Sequence, residues 1–299
     1  MATDIRSLSQ VEIDKEISAL LAKYSSVGWP FKTREVLSEC IASLGGLFAA
    51  QTSLNHEPRR FYFFRVRTAS SFKSEDETKI PEQYGLPPLE YCTSVGRAHI
   101  PGHPVFYASD SYEAAVREMK LPNEQYYFIS YWYTDEISIE KLNFLFANNI
   151  CSTRLLDNFN QVVTNMWEQH NVLDDLNRDR MKAHLCAWSN LFLSDNYSLT
   201  ASIAHTNMFG EYASHKMICY GSALDGKATN YAVHPELASQ FKLHRVYSVS
   251  VPDIHGKIGF IQCAKTGDNG MLEWKQITDD ELPPNDPFLP TKFEGAKNV

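Results

Sequence analysis

Arg97, Tyr107 and Glu118 fall within one segment, GRAHIPGHPVFYASDSYEAAVREM, which runs from an arginine-bearing loop through a short strand pattern into a helix pattern. With Arg65 upstream they supply two guanidinium groups, a phenol and a carboxylate. Guanidinium groups meet anions through paired hydrogen bonds, and a carboxylate in a low-polarity setting stabilises positive charge. On a helix, Glu118 shares a face with Ala114 and Ala115, at i−4 and i−3. Small residues there let the helix lie close to a sheet and turn the carboxylate inward, where it needs a partner; Arg65 and Arg97 are the candidates. Two readings stay open from the pattern alone, a structural ion pair and a catalytic carboxylate.

Other constellations fall short. Gly221 to Lys227, GSALDGK, fits the spacing of a nucleotide P-loop. Ala228 stands where the magnesium-binding Ser or Thr should be, and the stretch TNYAVHP that follows has no helical period. His99 and His103 are four apart, but Pro101 and Gly102 forbid the helical turn that would align their rings, so no metal site is expected. No serine sits in GxSxG, the spacing of a nucleophile elbow. The cysteines Cys40, Cys92, Cys151, Cys186, Cys219 and Cys263 are scattered without a CxxC pair, which suggests reduced, mostly core thiols.

The elements that must position these residues change character along the chain. Residues 1–58 read as a helical extension: Ser9 and Glu12 have capping-box spacing, and TREVLSECIASLGG places Val36, Leu37, Cys40, Ile41 and Leu44 on one side. From Arg59, RRFYFFRVR, PVFYAS and EQYYFISYWYT are aromatic and β-branched runs of strand type. Between the second and third, Asp110 reads as N-cap of a short helix with Glu113 three residues on. Residues 141–210 turn helical and loop-like, and HKMICYGSA, KLHRVYSVSV and GKIGFIQCAK form a third β-rich part. The tail over 279–299, rich in proline and charge, is expected to be irregular. Strand runs with inserted helices indicate an α+β fold, with one decorated domain over 59–278.

Composition bounds the partners. Of 299 residues, 43% are hydrophobic and 12% aromatic, too apolar for a disordered chain. The formal charge of -8 gives no footing for a nucleic-acid groove, so any anionic ligand must be met by a few placed arginines. The N-terminal MATDIRSLSQVEIDKE is polar and acidic, and no apolar run of about 18 residues occurs. A cytoplasmic protein with no membrane partner is expected; a homo-oligomer is left open.

Four blocks, in order, resemble the RES-domain family, which is named for shared Arg, Glu and Ser positions. FFRVR resembles its opening strand and maps to Arg65. GRAHIPGHPVFYAS resembles its Gly-Arg loop and Tyr strand and maps to Gly96, Arg97 and Tyr107. SYEAAVREM resembles the glutamate helix and maps to Glu118, and YGSALDGKATNYAVHPELASQFKLHRV resembles the serine block and maps to Ser222, Asn230 and Pro235. The chain departs from compact members in its N-terminal residues, in a longer stretch between Glu118 and Ser222, and in His99, where an Asn often follows the Gly-Arg pair.

The resemblance implies a fold like that of ADP-ribosyltransferases, with a mixed or antiparallel sheet core. It implies consumption of NAD as a substrate, with no cofactor or metal, in a bacterial toxin or defence effector often blocked by a cognate antitoxin. Cleaving the nicotinamide–ribose bond builds positive charge on the ribose, which Glu118 would stabilise. Arg65 and Arg97 would hold the pyrophosphate, Tyr107 the nicotinamide or ribose and Ser222 the nicotinamide side, with Asn230 a further NAD-binding candidate. Water as acceptor gives a glycohydrolase, phosphate a phosphorolytic enzyme and a protein side chain an ADP-ribosyltransferase. A catalytically silent interaction module is the further alternative.

Overall fold

Period-two alternation of large apolar residues in Tyr62–Thr68 makes the first strand, and it sets which side chains lie on which face. The computed structural model describes residues 60–119, 126–137, 142–145, 153–169, 197–209, 215–250 and 258–283, with single positions at 15, 186, 189, 190, 192 and 193. The strands are β1 (Tyr62–Thr68), β2 (Phe106–Ser109), β3 (Tyr126–Tyr133), β4 (Leu142–Phe144), β5 (Met217–Gly221), β6 (Thr229–Val233), β7 (Lys242–Ser250), β8 (Gly259–Thr266) and β9 (Leu272–Gln276). The helices are α1 (Tyr112–Glu118), α2 (Arg154–Gln169), α3 (Tyr197–Phe209) and the single turn α4 (Pro235–Ala238). The fold is mixed α+β.

The described residues gather into two compact units. One draws on Arg59–Leu86, Tyr107–Ile137 and Ala238–Val299, the other on Pro87–Phe106 and Ser138–Leu237. The helical extension expected over 1–58 falls outside the described residues, apart from Lys15, which is helical.

In the first unit the strands run in the order β2-β1-β3-β7-β8-β9, every neighbouring pair antiparallel. One face of this sheet carries Phe64, Val66, Ile129, Tyr131, Tyr247 and Val249, and Ala115 and Val116 of α1 pack on it. Phe64 and Tyr131, cross-strand partners, stack at 4.8 Å between ring centroids, and Tyr112 meets Phe64 edge-on at 5.6 Å. Burying each such ring stabilises the sheet by about 2 kcal/mol. Alternation sends Phe63, Arg65 and Arg67 to the opposite face. There Phe63 stacks on Phe241 at 4.8 Å, and Arg67 donates to the Gln83 carbonyl while its guanidinium lies 5.4 Å from the Phe72 ring. Tyr84, fully buried, donates to Thr78 O at 2.9 Å and closes this side.

In the second unit β5 and β6 form an antiparallel hairpin, and β4 pairs parallel to β5. Both hairpin strands are buried throughout. Helix α2 is capped by Thr153, whose Oγ1 accepts from Leu156 N at 3.2 Å and also meets Thr229 Oγ1 at 2.7 Å. Leu156 and Phe159 make its buried side, and Thr200, Ala201, Ala204 and Met208 that of α3.

Three sequence expectations are corrected. The N-cap of α1 is Ser111, not Asp110: the Ser111 backbone is extended and its Oγ accepts from Ala114 N at 3.2 Å, while Asp110 is buried one residue earlier. Residues 142–144 are a strand inside the stretch read as helix and loop. The tail does not begin loosely, because Glu281 is buried and receives Arg245 Nη1 at 3.4 Å and Lys275 Nζ at 2.7 Å. The rest of the tail, from residue 284, lies outside the described residues. Among the described cysteines, Cys92, Cys219 and Cys263 are buried and none is in a disulfide. No described helix is long and apolar enough to cross a membrane.

Candidate functional site

Strand pairing joins two of the blocks that sequence separates. Phe64 of β1 lies opposite Ser109 of β2, and Arg65 Nη1 donates to the backbone oxygen of Tyr107 at 2.9 Å. Burial, then the neighbouring charge of Arg67, lowers Arg65 from 12.5 to about 10, with Tyr107 acting the other way; the group remains charged at neutral pH. Ser130 on β3 donates to the Arg65 carbonyl at 3.1 Å, so the residue is held by backbone and side chain alike. Tyr107 itself is half-buried on β2.

Glu118 ends α1 and is half-buried. The buried residues of α1 are Ala114, Ala115 and Val116, which agrees with the small-residue face proposed to bring the helix close. The helix packs against Phe64 and Val66, so Arg65 lies on the other face of β1. Arg65 and the helix that ends in Glu118 therefore lie on opposite faces of β1.

Arg97, Ser222 and Asn230 belong to the other unit. The Gly-Arg block forms a tight turn in which Gly96 N donates to His99 O at 3.0 Å. A Cβ on residue 96 would collide with the His99 ring, which is the physical reason for glycine there. Burial holds the His99 imidazole below its ordinary value, with a Ser94 backbone hydrogen bond opposing. The turn aims Arg97 at the helical stretch: its Nη1 donates to Phe192 O, and its guanidinium lies 5.0 Å from the Tyr197 ring centroid. A cation over an aromatic face with a carbonyl acceptor is a well-satisfied arginine.

Ser222 opens the connection between β5 and β6. Its Oγ accepts from Leu224 N at 3.3 Å and Asp225 N at 3.1 Å, and Lys227 N donates to Asp225 Oδ1 at 3.1 Å. The GSALDGK stretch is thus a hairpin turn leading into β6, not a phosphate loop leading into a helix. Ser222 is 1% exposed. Asn230, also buried, lies on β6 opposite Tyr220, and Pro235 starts the turn α4.

The structure therefore links Arg65 directly to Tyr107, places α1 beside β1, and engages Arg97 and Ser222 in contacts of their own unit. Two buried polar groups follow Tyr107 at the end of β2: Ser109, which sequence reasoning passed over, and Asp110, which it took only for a cap. Their signal is weak, because Ser and Asp before a helix read first as caps. Among the described residues, no group of three or more His, Cys, Asp or Glu is placed to hold a metal ion. No protein-family model matches the chain, and no curated protein matches it. The resemblance to RES domains rests on the four sequence blocks.

Proposed function

We propose that the chain consumes NAD by cleaving the bond between nicotinamide and ribose, on a core of ADP-ribosyltransferase type. The observation that carries this reading is the buried Arg65 guanidinium held to the backbone of Tyr107, which unites the arginine strand and the tyrosine strand that the resemblance requires. A fixed, desolvated guanidinium attracts phosphate oxygens more strongly than an exposed one, because less water competes. The acidic chain thereby gains a local basic point at which a dianionic pyrophosphate can bind.

In this reading Glu118, half-buried at the end of α1, stabilises the oxocarbenium-like transition state. Tyr107 offers an aromatic face to the nicotinamide or ribose. Arg97, Ser222 and Asn230 enter the proposal through the resemblance.

The test is to incubate the full chain with NAD and follow nicotinamide by chromatography. Release with water alone marks a glycohydrolase, release that requires inorganic phosphate a phosphorolytic enzyme, and ADP-ribose found on a protein by mass spectrometry a transferase. NAD left intact under all three conditions at high protein concentration overturns the proposal.

A further inference from the structure

Three histidines from three segments converge on one phenyl ring in the unit that contains Arg97. His103 closes the turn Ile100-Pro101-Gly102-His103, donating its N–H to Ile100 O at 3.0 Å. Gly102, at φ 77, takes the left-handed position that this proline-first turn requires, and so aims His103. His205 lies on α3, one turn before Phe209, and His234 follows β6. His103 meets His205 edge-on at 4.5 Å between centroids and Phe209 at 5.3 Å. Phe209 lies 5.2 Å from His205, stacked, and 4.4 Å from His234.

His205 and His234 are set for the neutral form. His205 Nδ1 is buried with no hydrogen-bond partner among the described residues, so a proton there would find no acceptor among them. His234 Nδ1 accepts the Glu236 N–H at 3.2 Å, which puts the neutral ring's proton on Nε2; a second proton would face that N–H donor. Glu236, the carboxylate beside His234, is already paired to Lys216 at 2.8 Å. Lys216 itself adds repulsion to any charge on His234.

The loop from Gly96 to His103 follows α3 along its length. Arg97 covers Tyr197, the first residue of the helix, and His103 packs on His205 and Phe209 near its end. We propose that the imidazole cluster is an acid-operated latch: proton uptake by His205 and His234 releases α3 from the loop that carries Arg97. Burial, and then the neighbouring His103, holds His205 down to about 4, while burial and then Lys216 lower His234, with Glu236 opposing. Because both rings bind protons more readily once freed, the released state gains as pH falls below the ordinary 6.5, and continues to gain down to about 4. The inference concerns the packing of α3 and stands whether or not the chain acts on NAD.

Hydrogen–deuterium exchange on the full chain at pH 8 and pH 5, corrected for the intrinsic exchange rate, tests it. The protection of α3 amides is expected to fall about tenfold more than that of β7 amides on acidification. The double variant His205→Phe, His234→Asn keeps an aromatic stack and an acceptor without a titrating group, and should remove that difference. Equal loss in α3 and β7, or a double variant with undiminished pH dependence, overturns the latch. Should the variant fail to fold, the wild-type His205 ring followed by NMR decides: titration at its ordinary value with α3 protection unchanged also overturns it.

Discussion

Arg65 on β1 reaches across to β2 and donates Nη1 to the backbone oxygen of Tyr107 at 2.9 Å. The contact ties the two strands together through a charged side chain, and a hydrogen bond from a charged group contributes about 1.5–3 kcal/mol. Arg65→Met, which keeps the stem and removes the donor, is expected to lower unfolding free energy by about 2 kcal/mol in urea titration. Arg65→Lys should recover little, because a single ammonium lacks the fork that reaches the carbonyl. A stability equal to wild type in Arg65→Met would show that the Tyr107 carbonyl finds water instead.

The buried pair Arg245–Glu281 anchors the segment after β9. Glu281 Oε2 also accepts from Thr278 Oγ1 at 2.9 Å, and Arg245 Nη1 donates to the Glu281 backbone oxygen at 2.9 Å. Glu281→Ala leaves the 8% exposed Arg245 without its counter-charge, and a loss of about 3 kcal/mol is expected in thermal or denaturant unfolding.

Glu281 also sets an acid limit. The Lys275 ammonium first, then the Thr278 hydroxyl and Arg245, hold Glu281 down from 4.5 to about 2. A carboxyl lowered on folding contributes stability above its unfolded value, and that contribution is lost as pH falls from 4.5 towards 2. Melting temperature should therefore drop across that window in wild type, with a shallower drop in Glu281→Gln; parallel curves would contradict this.

Gly96 is held by the ring of His99. Gly96→Ala forces that ring or the turn to move, and overpacking of this kind costs about 1–3 kcal/mol. The double variant Gly96→Ala, His99→Ala removes the obstacle and should regain most of the lost melting temperature. Failure to regain it would place the strain in the backbone instead.

How much of this was legible in the sequence depended on which force made each element. β1, β3, β7 and β8 are long aromatic and β-branched runs whose packing follows from period two, and all were readable. β9, LEWKQ, is a polar edge strand whose register comes from β8, and β4 is three residues long with its pairing supplied by β5. Neither carries a local pattern. Charge density made the tail from Asp279 look solvated, whereas Glu281 is buried by partners on β7 and β9. Period two also dictates that Arg65 opposes Phe64 and Val66, but the face taken by α1 emerges only from packing. The histidine cluster left no trace in the sequence, because His103, His205 and His234 meet only through tertiary structure.

Glu118 bears the chemistry in the functional account, and a single comparison tests it most directly: nicotinamide release from NAD by wild type and by Glu118→Gln, at matched protein concentration and with melting curves recorded for both. The account predicts release by wild type and a drop of about 100-fold or more in the variant, with melting temperatures within about 2 °C of each other. NAD untouched by the wild-type chain, or a variant as active as wild type, would contradict it.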